Sequence, residues 1–370
     1  VQKSESKLNS EKPEVSVIFA AYRNVGYIED NYLRLKKSKV KCEFIVAADE
    51  PDPALEFLLR KYSFRVSLSY RRRGKWKALN DAAGIAEGRY LLFIDSDTKL
   101  LSKIDEIVRA LESHDAVEIR KEINGNSILE KLVNIDYLNM FAVAKLSEKL
   151  KSCLGINGAA FAIRKDVFFS LNGFRNVVNE DTDLGLRLGL NGFSFGTAGK
   201  AETKSPGTFR EWVIQRERWA TGGAQALLNC LPELIKKPVL WVPALYLIFP
   251  AIVAFTLNDL MSGSILTKII YFILPLILAL PPKILFFVLF LLFQERMLKN
   301  AIVGIVTFII WVAVEVFTAR KLKWSINYAL LPVFYFFYSP AWLIISFVAL
   351  IRVSIFKIAK KSVKVSNWNP

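Results

Sequence analysis

The sequence predicts an α/β domain built on a mainly parallel sheet, followed by a C-terminal bundle of membrane-crossing helices. Three observations carry this expectation. Short apolar runs alternate with helix-spaced segments through the first half of the chain. Carboxylates stand directly after two of those runs. The chain is 53% hydrophobic, and nearly all of the excess lies beyond Lys237.

Taken in order, residues 1–13 are polar and contain no apolar h-region, which predicts a disordered tail without a signal peptide. Residues 15–21, 42–48, 65–70 and 90–94 are rich in β-branched and apolar side chains and read as strands. Between them, residues 27–35, 53–62, 76–86 and 104–111 carry helical spacing. Ligands of such sheets bind beyond the carboxyl ends of the strands. That rule singles out Tyr22-Arg23-Asn24, Asp49-Glu50 and Asp95-Ser96-Asp97. Residues 128–150 are expected to be helical, 157–164 a strand, and 181–190 a helix with aspartates in its first turn. Residues 209–220 are amphipathic, with Trp212 and Trp219 seven apart on one face. A helix of this kind is expected to lie along a membrane surface.

Residues 239–257, 301–318 and 328–351 are apolar and long enough, at about 1.5 Å per residue, to cross a core of roughly 30 Å. Residues 269–293 are apolar too, but Pro281-Pro282 removes two helical donors. One broken span is expected there, giving about four spans over 237–356. The basic tail, 357–370, falls in the cytosol by the positive-inside rule, on the side of the N-terminal domain. Four spans leave Arg320, Lys321 and Lys323 outside, against the same rule. Glu315 lies within an apolar span, where it serves function or pairs with a neighbour.

The net charge of +16 suits anionic lipid or phosphorylated ligands. No basic stripe interleaved with aromatics accompanies it, so nucleic acid is not an expected partner. Three cysteines, Cys42, Cys153 and Cys230, form no CxxC pair and read as reduced thiols. The single histidine, His114, reads as a loop residue.

Four segments carry candidate chemistry. Asp95 and Asp97 form a carboxylate pair suited to Mg²⁺ or Mn²⁺ with its diphosphate ligand. A second such pair, Asp181 and Asp183, occurs without a preceding strand, so position distinguishes the first. Gly74-Lys75-Trp76-Lys77-Ala78-Leu79-Asn80 is a basic loop entering a helix, which suits a phosphate or is a plain lysine pair. Asn179-Glu180-Asp181 offers either a base for a hydroxyl proton or an acidic helix cap. Gln215-Arg216-Glu217-Arg218-Trp219 is the most specific string, since Gln-x-x-Arg-Trp arises by chance in about one such chain per hundred.

In this order, with Tyr22 and Asp49 at strand ends and apolar spans to follow, the segments resemble the family 2 membrane glycosyltransferases. That family includes the synthases of cellulose, chitin and hyaluronan and the ceramide glucosyltransferases. The resemblance implies a GT-A, Rossmann-like cytosolic domain over 14–207 and an interface helix with the QxxRW motif over 208–236. It implies a multi-pass cell-membrane enzyme with its catalytic domain in the cytosol. The implied reaction is an inverting transfer from a nucleotide sugar, expected to be a UDP-sugar, with Mg²⁺ or Mn²⁺. By matching position, Asp181 resembles the catalytic base, and Asp95 and Asp97 the diphosphate and metal aspartates. Tyr22, Asp49, Lys75, Gln215, Arg218 and Trp219 resemble the donor-site residues. Asn157, Glu180 and Trp219 fall on the acceptor side. The first strand ends Ala20-Ala21-Tyr22-Arg23-Asn24 where the family has Pro-Thr-Tyr-Asn-Glu, and no gating-loop motif follows Trp219. The expected acceptor is a lipid-linked or membrane-delivered glycan. The alternatives are a processive polysaccharide synthase and a non-catalytic scaffold or transport subunit.

Overall fold

The computed structural model describes residues 12–62, 64–260, 277, 280–293 and 297–359. Most of the expected tail at 1–13, most of the basic tail at 357–370, and most of 269–280 lie outside the described residues. The strands are β1 (Val15–Tyr22), β2 (Cys42–Asp49), β3 (Arg65–Ser69), β4 (Tyr90–Asp95), β5 (Thr98–Leu100), β6 (Ala116–Glu122), β7 (Ala160–Arg164) and β8 (Phe195–Thr203). They form one sheet in the order β3-β2-β1-β4-β7-β6-β8-β5.

Four of the five strands read from the sequence are the parallel half, and the fifth, expected over 157–164, is β7. β1, β2 and β4 are apolar runs because both faces are covered, while β3 is a half-exposed edge strand that alternates. Val17 and Phe19 of β1 enter one core, while Ile18 between them enters the other. The remaining half is mixed. β7 is antiparallel to β4 and to β6, β6 is parallel to β8, and β5 is antiparallel to β8. The expectation of a mainly parallel sheet therefore holds for β1–β4, while the other half mixes one parallel pairing with three antiparallel ones.

The helices of this half are α1 (Ile28–Leu35), α2 (Pro53–Lys61), α3 (Lys75–Ile85), α4 (Ile104–Ser113), α5 (Ile128–Lys149), α6 (Lys165–Ser170), α7 (Glu180–Leu190) and α8 (Phe209–Lys236). Local chemistry sets several ends. Ser127 and Glu130 form a reciprocal capping box on α5. Asp52 caps α2 ahead of Pro53. His114 closes α4, its Nδ1 within 3.0 Å of the Ala110 carbonyl. β1 lies between β2 and β4, so the chain reverses its direction of winding there. The crevice at the ends of β1 and β4 is where such a sheet binds ligands.

Three described helices are long and apolar enough to cross a membrane: Pro238–Leu257, Asn300–Lys321 and Tyr328–Ile358. The 12-residue helix Pro282–Phe293 follows the proline pair. Trp311, Phe334 and Tyr338 from the apolar helices share one core with Phe141 and Leu138 of α5. Glu315 is buried and hydrogen bonds with Asn139 of α5, so it has a neighbouring polar partner. The segment after the second apolar helix is fastened to the sheet domain. Arg120 of β6 donates to the Leu322 and Lys323 carbonyls, and Asn134 of α5 donates to the Ser325 carbonyl at 2.8 Å. The segment that follows Arg320 and Lys321 thus packs against the sheet domain.

Candidate active site

The crevice holds two cavities that share a wall. The first, about 670 Å³, is bounded by the end of β1, the end of β2 and the start of α3. Tyr22 projects here, its ring between the guanidinium groups of Arg23 and Arg72 and its hydroxyl donating to Glu50 at 3.1 Å. Asp49 is buried at the cavity's edge. It accepts from the Arg73 backbone N–H and from Arg73 Nε, each at 2.8 Å. Arg73 also pairs with Asp81 at 2.9 Å and donates to the Ser67 carbonyl. Arg73 was not singled out from the sequence; its signal was the run Arg71-Arg72-Arg73 directly before Gly74.

Gly74 begins α3 with φ of 89°, a conformation that disfavours a side chain, and turns Lys75 into the crevice. Lys75 Nζ lies 2.7 Å from Asp95 and 3.6 Å from Glu180. Enclosure opposes its charge, but Asp95, Glu180 and Asp181 outweigh that and raise its pKa above the ordinary lysine value. Asp97 faces the open cleft one turn on. Enclosure by protein and the Asp95 charge push its carboxyl up, with Lys75 opposing. Burial also raises the Glu180 carboxyl, and Lys75 pulls it back.

The second cavity, about 390 Å³, lies beyond Asp95 and Asp97 and reaches Ala244 and Leu247 of the first apolar helix. Asp181 lines it. One Asp181 oxygen accepts from the Gly158 N–H at 2.7 Å and the other from the Thr182 N–H at 2.6 Å. Asn179 makes no side-chain cap for α7; its Nδ2 donates instead to the Trp219 carbonyl at 2.9 Å. Gln215, Arg218 and Trp219 all line this cavity, and Arg218 lines the first as well. Gln215 Oε1 is buried with no hydrogen-bond partner among the described residues. Trp219 packs edge-on against Tyr137 at 6.4 Å. Lys204, just after β8, reaches both cavities and was not anticipated.

A buried pair supports the turn before β7. Glu118 accepts from the Asn157 N–H at 3.0 Å, and Lys121 Nζ donates to the Asn157 carbonyl at 2.8 Å. Burial lowers the Lys121 pKa, with Glu118 opposing. The two arginines of the Gln215–Trp219 string separate. Positions two apart on a helix face different sides, so Arg218 enters the cleft while Arg216 is fully buried beneath it.

The Asp95 and Asp97 carboxylates suit a hard divalent cation. Both are oxygen donors that face the same cleft, and Asp97 carries a charge that its surroundings leave under-compensated. Among the described residues no group of three His, Cys, Asp or Glu side chains is arranged to hold a metal alone. The remaining positions would fall to water or diphosphate.

Residues 90–357 match the family described as Glycosyl transferase family group 2. The chain belongs to that family. This glycosyltransferase is 24% identical to the probable glycosyltransferase YdaM of Bacillus subtilis, over 97% of this chain and 88% of the relative. It is 25% identical to glucomannan 4-beta-mannosyltransferase 1 of Oryza sativa, over 54% of this chain and 32% of that one. It is 26% identical to the poly-beta-1,6-N-acetyl-D-glucosamine synthase of Staphylococcus aureus, over 60% of this chain and 59% of that one. The chain thus spans most of the Bacillus relative but only about a third and three fifths of the other two. Among solved structures, the mannosyltransferase PcManGT of Pyrobaculum calidifontis, bound to GDP-Man and Mn²⁺, superposes with a TM-score of 0.52 at 18% identity, over 80% of this chain and 88% of that one. That likeness bears out the GT-A, Rossmann-like fold.

Proposed function

We propose that this glycosyltransferase moves a sugar, with inversion, from a nucleoside-diphosphate sugar to a lipid-linked or membrane-delivered glycan. One observation supports this above the rest: two cavities meet at Lys75, Asp95, Asp97 and Arg218, and the second is walled by an apolar helix. In this reading residues 14–207 form the transferase domain, 208–236 the interface helix and 237–356 the membrane region of a multi-pass protein. The catalytic domain faces the cytosol, because Arg320, Lys321 and Lys323 lie on its side.

The donor's base sits by Tyr22 and Asp49, and its diphosphate lies between Lys75 and Arg218. Asp95 and Asp97 would hold Mg²⁺ or Mn²⁺. A cation bound there neutralises charge on the departing diphosphate. Asp181 takes the proton of the acceptor hydroxyl. That oxygen attacks the anomeric carbon from the side opposite the diphosphate, the bond to the diphosphate breaks, and the configuration inverts. Asn157, Glu180 and Trp219 border the acceptor. Fixed charges aimed at the leaving group need no rearrangement during reaction.

A UDP-sugar is the expected donor, and GDP-mannose, bound by the archaeal neighbour, is the second to test. The decisive measurement is release of UDP or GDP from a panel of donors with Mn²⁺, followed by Asp181→Asn. That variant is expected to lose transfer and keep nucleotide binding. Retained transfer removes Asp181 from the base role, and no release from any donor favours a non-catalytic subunit. The names of the rice and Staphylococcus relatives favour polymer synthesis as the second reading. One added sugar marks a glycolipid enzyme; a ladder of products marks a synthase.

A further inference from the structure

The helix Tyr328–Ile358 is as apolar as a crossing span, yet its regular part, Ser339–Ile358, is tied to α8 near both ends. At its start, the Tyr338 hydroxyl accepts from Trp212 Nε1 at 2.8 Å and from Arg216 at 2.9 Å, both on α8. At its end, Lys357 Nζ donates to the Leu228 carbonyl of α8 at 2.6 Å. Between them Arg352 pairs with Glu217 at 2.8 Å. The regular part, Ser339–Ile358, has 20 residues and is about 30 Å long. A crossing would carry one end to the far side of a core of that thickness.

The helix α8 cannot follow it there. Its first half bears Gln215 and Arg218 in the cleft. Its second half packs on α7, through Ala226 and Leu234 against Leu186. Lys237, directly after α8, donates to the Leu190 carbonyl at 2.7 Å. So α8 rests on the sheet domain along its length, and the helix beside it must stay on that side.

We propose that Ser339–Ile358 lies in the plane of the membrane beside α8 and presents one apolar face to the lipid boundary. Ile344, Phe347, Val348, Ile351, Ile355 and Ile358 are exposed at helical spacing, while Ala349 and Val353 are buried on the opposite face. On α8, Leu227, Leu231 and Ile235 are exposed four apart. The occupant of this surface is bilayer lipid, because the surface is continuous with the first apolar helix and exposed Lys236 and Lys237 stand at the junction. Among the described residues the crossing helices are then Pro238–Leu257, leaving the domain's side, and Asn300–Lys321, returning to it where Arg120 holds Leu322.

This rests on the membrane reading but fails separately from it. Flotation of the full chain with liposomes tests membrane association alone. For the helix, spin labels are placed singly through Ile344→Cys, Phe347→Cys, Ile351→Cys, Ile355→Cys and Ile358→Cys, with thermal melts as the folding control. Depth is read from collision with oxygen against a water-soluble nickel complex. An in-plane helix gives nearly one depth at all five sites, about 5–10 Å into the boundary. A profile that deepens to the bilayer centre near residue 348 and shallows again overturns the proposal. Five sites leave the profile readable if one variant misfolds.

Discussion

Arg216 and Asp136 lie 2.8 Å apart in an ion pair, and no part of Arg216 is open to solvent. Tyr338 joins them, donating to Asp136 at 3.0 Å. Burial opposes charge on both groups. For Asp136 it wins and raises the carboxyl, while for Arg216 the Asp136 charge outweighs it. Arg216 Nε and Nη1 have no hydrogen-bond partner, but the guanidinium lies 4.3 Å from the Trp219 ring and 5.4 Å from that of Trp342. This cluster links α5, α8 and the last apolar helix directly under the cleft.

Removing one partner leaves a buried charge alone, which costs about 3–5 kcal/mol, whereas replacing both by apolar groups is nearly neutral. Asp136→Leu and Arg216→Met are each expected to lower the melting temperature sharply. The double variant is expected to recover most of the loss. Thermal melts of the four proteins in one detergent decide it: additive losses mean that the pair is not coupled.

Asp97 predicts a pH-dependent response to metal. Its folded pKa is raised by enclosure and by Asp95, so the folded state holds this proton more tightly than the unfolded chain. The resulting stability is present below the ordinary carboxylate range, near pH ~4, and is lost as pH rises through the raised value. A cation compensates the bare carboxylate at the higher pH and competes with the proton at the lower. Mn²⁺ is therefore expected to raise the melting temperature more at about pH 7 than at about pH 5, and Asp97→Asn to remove the difference. Equal stabilisation of the native protein at both pH values contradicts a role for Asp97.

Asp49 is oriented by Arg73 through both the backbone and the side chain. Arg73→Met keeps the backbone hydrogen bond but removes the Nε donor from Asp49, and it also unpairs Asp81. Nucleoside-diphosphate affinity is expected to fall on the order of tenfold, about 1.4 kcal/mol. The rate at saturating donor is expected to change little, because Arg73 lies away from Asp181 and Arg218. Calorimetric titration with the nucleoside diphosphate measures it, and an unchanged Kd means that Asp49 does not contact the base.

The legible half of the molecule was the half with strong local signals. The strands β1, β2 and β4 are apolar runs and β3 alternates, and Asp49, Asp95 and Asp97 stand at or just past their ends. The less legible half hides its signals in tertiary pairing. Residues 116–122 read Ala-Val-Glu-Ile-Arg-Lys-Glu, a charged string that becomes β6 because Glu118 and Lys121 are consumed by the turn at Asn157. Residues 195–203 are mostly small or polar and become β8 between β6 and β5. Arg216 was legible only as part of a motif, since its partners Asp136 and Tyr338 lie far off in sequence. Hydropathy alone does not say whether the helix Tyr328–Ile358 crosses or lies in the plane proposed for it, because an in-plane apolar face and a lipid-facing one have the same composition.

Gly158 offers the sharpest test of the catalytic carboxylate. Its N–H holds one Asp181 oxygen, and a Cβ at this position would collide with the Asp181 carboxylate. The turn is buttressed beneath by Glu118 and Lys121, so it cannot easily retreat. Gly158→Ala should therefore displace the carboxylate while leaving Lys75, Asp95 and Asp97 in place. Since a misplacement of about 1 Å in a reacting group costs roughly a hundredfold, kcat for transfer is expected to fall by about that factor. Donor affinity should stay within about twofold. Steady-state kinetics with product release and calorimetry of the nucleotide separate the two quantities. A variant that keeps its kcat means that the position of Asp181 does not limit the reaction, and it moves the search for the base to Glu180, the neighbouring α7 carboxylate that lines the same cavity.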